Sequence, residues 1–227
     1  LFPYTTLFRS WISLQGLQLS SSGQLNNIGG QLVSGAYTQI SAGQLDNSKG
    51  RLLSTAALNL NVNGQANNQN GIIQANQSLL LQSGGLDNLS GQIASAGGAA
   101  NVQTRGNVSN QQGRITAAET LNITAQQLDN QQGLLSGKQL SVDSQQAIDN
   151  RQGRLQAADA LNLSGSGLDN QSGDIRSNGR LDIDTRRQNL NNQSGRISAL
   201  GDTHIQSGAL NNEAGQIQSN GRLSINT

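Results

Sequence analysis

An all-β chain wound as a parallel β-helix of about ten coils, each 20–22 residues long, is the fold this sequence predicts. Three observations carry it. First, a short phrase returns ten times: an apolar residue, a polar one, Asn, two variable residues, Gly, one more residue, then Ile or Leu. Its Asn falls at Asn27, Asn47, Asn68, Asn88, Asn110, Asn130, Asn150, Asn170, Asn192 and Asn212. Second, a Gly follows three residues later every time: Gly30, Gly50, Gly71, Gly91, Gly113, Gly133, Gly153, Gly173, Gly195 and Gly215. Third, the apolar residues of each unit alternate, as in Leu121 and Ile123 or Leu161 and Leu163. Alternation is the strand signature, and no segment carries the 3.6-residue period of a helix.

Each element of the unit has a physical reason. Two residues before the Asn stands Leu, Ile, Val or Ala, and two after the Gly stands Leu or Ile, from Leu32 to Ile217. These anchors predict two or three short strands per unit, joined by turns rich in Asn, Gly and Ser. Twenty residues at strand rise give a perimeter of roughly 66 Å, enough for a three-sided coil, and ten coils make a rod roughly 48 Å long. Coils stacked about 4.8 Å apart bring equivalent side chains into columns. A column of Asn amides can hydrogen-bond donor to acceptor from coil to coil, whereas a column of ionised Asp repels itself. The Asn column is therefore expected to face inward as a structural ladder. The residue before it is Asp in five units, Asn in four and Ser in one, and this tolerance predicts a solvent-facing position. The Gly is expected at a turn, either for positive φ or because no side chain fits.

Composition by itself points elsewhere. Only 33% of the chain is hydrophobic and 2% aromatic, and Asn plus Gln make up about a quarter, a profile that suits low-complexity or disordered chains. The repeat reverses that reading, because a stacked fold needs few apolar residues per coil if they fall in register. A net charge of +1 supplies no bulk field for nucleic acid or acidic lipid. With no Cys there are neither disulfides nor thiolate metal sites, and no apolar run reaches the length of a membrane span. Residues 1–10 lie outside the repeat: Phe2, Pro3, Tyr4 and Phe8 fall there, and Trp11 follows. The segment resembles translated adaptor sequence and is expected not to be native, leaving 11–227 as the repeat domain. The last unit stops at Asn226–Thr227 without a visible cap, as expected of a piece of a longer shaft.

Side chains able to do chemistry are few. His204, the single histidine, alternates with Ile205 and is expected to be an exposed strand residue with no Cys or second His to complete a zinc site. Asp129, Asp149 and Asp169 fall in consecutive coils and predict a row of carboxylates, solvated or weakly binding a cation. Seven Asn-x-Ser/Thr sequons, such as Asn122-Ile123-Thr124, are what an Asn- and Ser-rich chain yields by chance. No phosphate-binding loop, nucleophile elbow or His–carboxylate pair is present. No catalytic residue, cofactor or metal is expected.

The segments Leu45-Asp46-Asn47-Ser48-Lys49-Gly50-Arg51-Leu52, with Leu58 and Leu60 after them, and Leu168-Asp169-Asn170-Gln171-Ser172-Gly173-Asp174-Ile175, with Leu181 and Ile183, resemble the haemagglutinin repeat of the filamentous haemagglutinin family. The resemblance runs from about Leu17 to Thr227. It implies a right-handed β-helical shaft in a large exported protein of Gram-negative bacteria. Such proteins leave through an outer-membrane transporter of two-partner secretion and act at the outer surface as adhesins or as contact-dependent growth inhibition effectors bearing a toxin. On that resemblance the partners are the transporter and, through other parts of the parent, a host or neighbouring cell surface. Two other functions are compatible with coils of this length. A self-assembling amyloid-like fibre subunit also uses Gln/Asn-rich coils. A polysaccharide-active β-helix enzyme needs long loops, for which the constant spacing leaves no room.

Overall fold

The computed structural model describes Thr6–Leu7 and residues 10–227. Most of the segment expected not to be native therefore lies outside the described residues. Within them the chain is all strand and turn, and every pairing between strands is parallel. It is a β-solenoid of about eleven turns. The ten phrases mark corners between successive rungs, so the rungs outnumber them by one.

One coil shows the pattern. Arg114–Ala117 forms the first face, Thr120–Ala125 the second and Leu128–Asp129 the third. Each pairs with its equivalents above and below: Ile115 stands between Ile93 and Leu135, Leu121 between Ala100 and Leu140, and Leu128 between Val108 and Ile148. The core is thus a set of columns of like residues. Leu32, Leu52, Ile73, Ile93, Ile115, Leu135, Leu155, Ile175 and Ile197 fill one of them and are completely buried. Each such side chain contributes ~2 kcal/mol on burial, so the anchors hold a coil only together with its neighbours.

The longer spacings are absorbed at corners. Between Ala42↔Val62 and Leu45↔Ala66 the register gains one residue, taken up at Asn63–Gly64. Between Asp184 and Leu190 it gains two, taken up at Arg186 and Arg187, both with positive φ (51° and 62°). Two further shifts, between Ser21 and Gln24 and between Gly137 and Gln139, fall inside the long continuous strands Leu17–Asn26 and Leu134–Ser144, where each bends from one face to the next. A one-residue slip would turn each buried side chain outward, so insertions are tolerated only where the chain turns.

Candidate functional site

The repeated phrase builds the corner between the third face of one coil and the first face of the next. The Asn side chains stand in a continuous column there. Each Nδ2 donates to the Oδ1 of the next coil's Asn, from Asn27 to Asn47 at 2.6 Å through Asn110 to Asn130 at 2.7 Å to Asn192 to Asn212 at 2.7 Å. The same amide reaches a carbonyl of that next coil, as from Asn110 to Leu134 O at 3.3 Å, and its own unit's Gly carbonyl, as from Asn110 to Gly113 O at 3.3 Å. From Asn27 to Asn192 these side chains are completely buried. Every donor points toward the C-terminus and every acceptor toward the N-terminus. At the N-terminal end of the column, Asn27 Oδ1 has no donor among the described residues.

Of the two roles expected for the Gly, positive φ belongs to its neighbour. The residue just before it adopts the left-handed conformation in all ten units: Gly29 once, and otherwise Lys49, Asn70, Ser90, Gln112, Gln132, Gln152, Ser172, Ser194 and Ala214, with φ between 51° and 57° in these nine. The Gly is governed by space. At each of the nine positions from Gly50 to Gly215, a Cβ would be driven into the backbone carbonyl of the Asn one coil below and would crowd the amides around it. At Gly133 the obstacles are the Asn110 carbonyl, Asn130 Oδ1 at 2.5 Å and Asn110 Nδ2 at 2.9 Å. The amide column and the bare Gly thus form one steric unit, which explains why the two recur together.

The residue before the Asn is partly exposed and also holds the turn. In nine of ten units its side-chain oxygen accepts the backbone N–H two residues on, as from Ser48 N to Asp46 Oδ1 and Gln131 N to Asp129 Oδ1, each 3.0 Å. This is an Asx turn, which Asp and Asn form equally well because both carry an oxygen on Cγ. The tolerance reflects that shared chemistry, and most of these side chains are half-buried.

A second polar column escaped the sequence reading. Seven residues past the Asn stands Ser34, Ser54, Ala75, Ser95, Ala117, Gly137, Ala157, Ser177, Ala199 or Ser219, always a small residue, at the corner between first and second faces. Where it is Ser, its hydroxyl can tie adjacent coils: Ser54 Oγ lies 2.8 Å from Ala36 O and Ser177 Oγ 3.2 Å from Asp159 O, each a carbonyl of the coil before. The run of small residues in all ten units was the available signal.

The aspartates do stack in register, Asp129 beside Asp149 beside Asp169, and each also meets donors of the protein. Arg151 lies between two of them, 2.7 Å from Asp149 Oδ2 and 3.7 Å from Asp169 Oδ2, while Gln111 and Gln131 donate to Asp129. The hydrogen bond and charge of Asp149 raise the Arg151 pKa further above its ordinary value. Among the described residues no cluster of three or more His, Cys, Asp or Glu could hold a metal ion. His204 is exposed, in register between Asp182 and Ser224. Among the described residues no helix is long and apolar enough to cross a membrane.

Searches of curated proteins and of solved structures each found no match. The profile of the haemagglutinin repeat matches residues 9–65, 53–112, 98–152, 148–185 and 176–227. Those stretches run continuously over almost the whole chain, each matched unit carrying the stacked Asn–Gly corner. The chain belongs to the haemagglutinin-repeat family of filamentous haemagglutinins.

Proposed function

We propose that this chain is a stretch of the shaft of a large exported bacterial surface filament, a spacer that holds a distal binding or toxin module away from the cell. The supporting observation is the parallel pairing of each rung with the next from Trp11 to Asn226, with the register shifts falling where the chain bends between faces. A rod built this way gains about 4.8 Å per coil, and its length is the property on which a spacer is selected. The residues support a structural, non-enzymatic role. The family context adds export by two-partner secretion through an outer-membrane transporter, with localisation at the outer surface.

Stacking each emerging coil on the last also gives folding a direction, which would draw the chain outward during export. The test is removal of one whole unit, residues 131–150, from the full-length parent. A spacer predicts retained folding, export and display, with a shaft shorter by about one rung in electron micrographs. Loss of a ligand-binding or catalytic activity from a protein that still folds would argue against a spacer. Unchanged export of the Asn130→Asp, Gly133→Val double variant would rule out the folding-driven part.

A further inference from the structure

The corner between the second and third faces alternates in length along the rod. Between the last residue of the second face and the apolar residue that opens the third, successive coils place residues 22–24, 43–44, 63–65, 84–85, 105–107, 126–127, 145–147, 166–167, 186–189 and 208–209. Three or four residues thus alternate with two through all ten coils. The spacing of the Asn hides this pattern, because the long corner 145–147 is offset by a residue lost between Gly137 and Gln139.

A longer corner stacked on a shorter one presents more carbonyls than the ladder can match. Gly84 N donates to Gly64 O at 2.7 Å, Gln126 N to Gly106 O at 2.9 Å and Ser166 N to Gln146 O at 3.0 Å. The backbone of each short corner therefore bonds the second residue of the long corner before it and leaves the first aside. At two sites an arginine of the next long corner, two coils on, reaches back to that first residue. Arg105 Nη2 donates to Asn63 O at 2.5 Å. Arg186 Nη1 donates to Gln145 O at 3.2 Å, and its Nη2 to Asp143 Oδ1 at 2.7 Å and Ser164 Oγ at 3.2 Å. Gln145 O also accepts from Ser166 Oγ at 2.9 Å. Both arginines thus span a short corner lying between two long ones. The recess spanned by Arg105 has a volume of about 330 Å³, with Asn63 and Arg105 on either side of Ser83.

We infer that Arg105 and Arg186 are staples that couple a coil to the next but one. Stacking by itself couples a rung only to its immediate neighbours. An exposed ion pair by itself contributes little, but Arg186 holds three groups on two coils at once, and its bonds to Gln145 O and Ser164 Oγ do not depend on the charge of Asp143. Local opening of the corner at 145–147 must then also break contacts made from 186–189. The staples are independent of the shaft reading: they are read by stability, whereas the unit deletion of the parent is read by export and length.

Amide exchange in the 227-residue chain tests the inference. Gln145 N and Gln146 N donate to Ala125 O and Gln126 O, so neither touches Arg186 directly. Arg186→Gln should nevertheless speed their exchange ~10-fold from two coils away. Asp143→Asn should give part of that acceleration and add little to it in the double variant. Arg176→Gln, exposed on the first face of the same coil as Arg186, should leave both amides unchanged. Two deletions of equal length supply a second measurement. Removing residues 111–130 or residues 151–170 takes out one short-cornered coil and leaves two long corners in contact. Only the second deletion lies under a staple and breaks it, so its urea midpoint should be the lower of the two. The proposal is overturned if Arg186→Gln and Arg176→Gln give equal exchange at Gln145 and Gln146, or if the chain lacking 151–170 is as stable as the one lacking 111–130.

Discussion

At the scale of single residues, the corner separates three constraints that look alike in sequence. Asn130 is buried and donates to Asn150 Oδ1 at 2.8 Å while accepting from Asn110 Nδ2 at 2.7 Å. Only an amide can be donor and acceptor at once in that column. Asn130→Asp sets a buried carboxylate against the acceptor oxygen of Asn150 and two carbonyls, and should cost about 3–5 kcal/mol in urea or guanidinium unfolding. Gly133→Ala drives a Cβ into the Asn110 carbonyl, and a shift of the coil to relieve it should cost about 1–3 kcal/mol. Gln132, by contrast, sits at φ 56°. Gln132→Gly removes a left-handed strain of roughly 1 kcal/mol at the expense of two exposed Gln–Gln bonds, and should leave stability equal or slightly raised in the same measurement. The Asn and Gly constraints were legible in the sequence because each admits one residue type. The positive φ was not, because ten units fill that position with Gly, Lys, Asn, Ser, Gln and Ala alike, and the surrounding stack overrides local preference.

At the scale of the element, each corner joins strands too short to stand alone. Leu128–Asp129 and Ile148–Asp149 are two residues each, so the third face depends on the turns that flank it. The Asx turn at Asp129 pins the chain as it leaves that face. Asp129→Ala should lose that bond and its Gln111 contact, about 1 kcal/mol or slightly more, whereas Asp129→Asn should keep the turn. Strand faces and core columns were readable from alternation, since burial follows a period of two. The outward aspect of the Asx position was readable from its tolerance, and the turn itself was not, because Asp and Asn also suit a solvent-facing strand residue. The small-residue column at Ser54 and Ser177 needed the fold to show that it closes a second corner.

For the whole molecule, stability is shared between neighbouring rungs rather than held by one globular core. Rods of this kind open from their ends. Amide exchange should be slowest near Ile115–Leu163 and progressively faster toward Leu223, and uniform protection along the chain would count against nearest-neighbour stacking. The periodicity in sequence was enough to specify this architecture. The gathering of Arg114, Arg154 and Arg196 in one outward column of the first face was not, because net charge has no direction until the coil assigns each residue to a side.

The inward amide column is the strict element of the corner, and the adjacent Asp is an interchangeable turn former. Chemical unfolding of two neighbouring single variants tests it directly. Asn130→Asp should lose about 3–5 kcal/mol, while Asp129→Asn, the mirror-image exchange one residue away, should change stability by less than about 1 kcal/mol. Equal losses in the two variants, or a larger loss in Asp129→Asn, would contradict it.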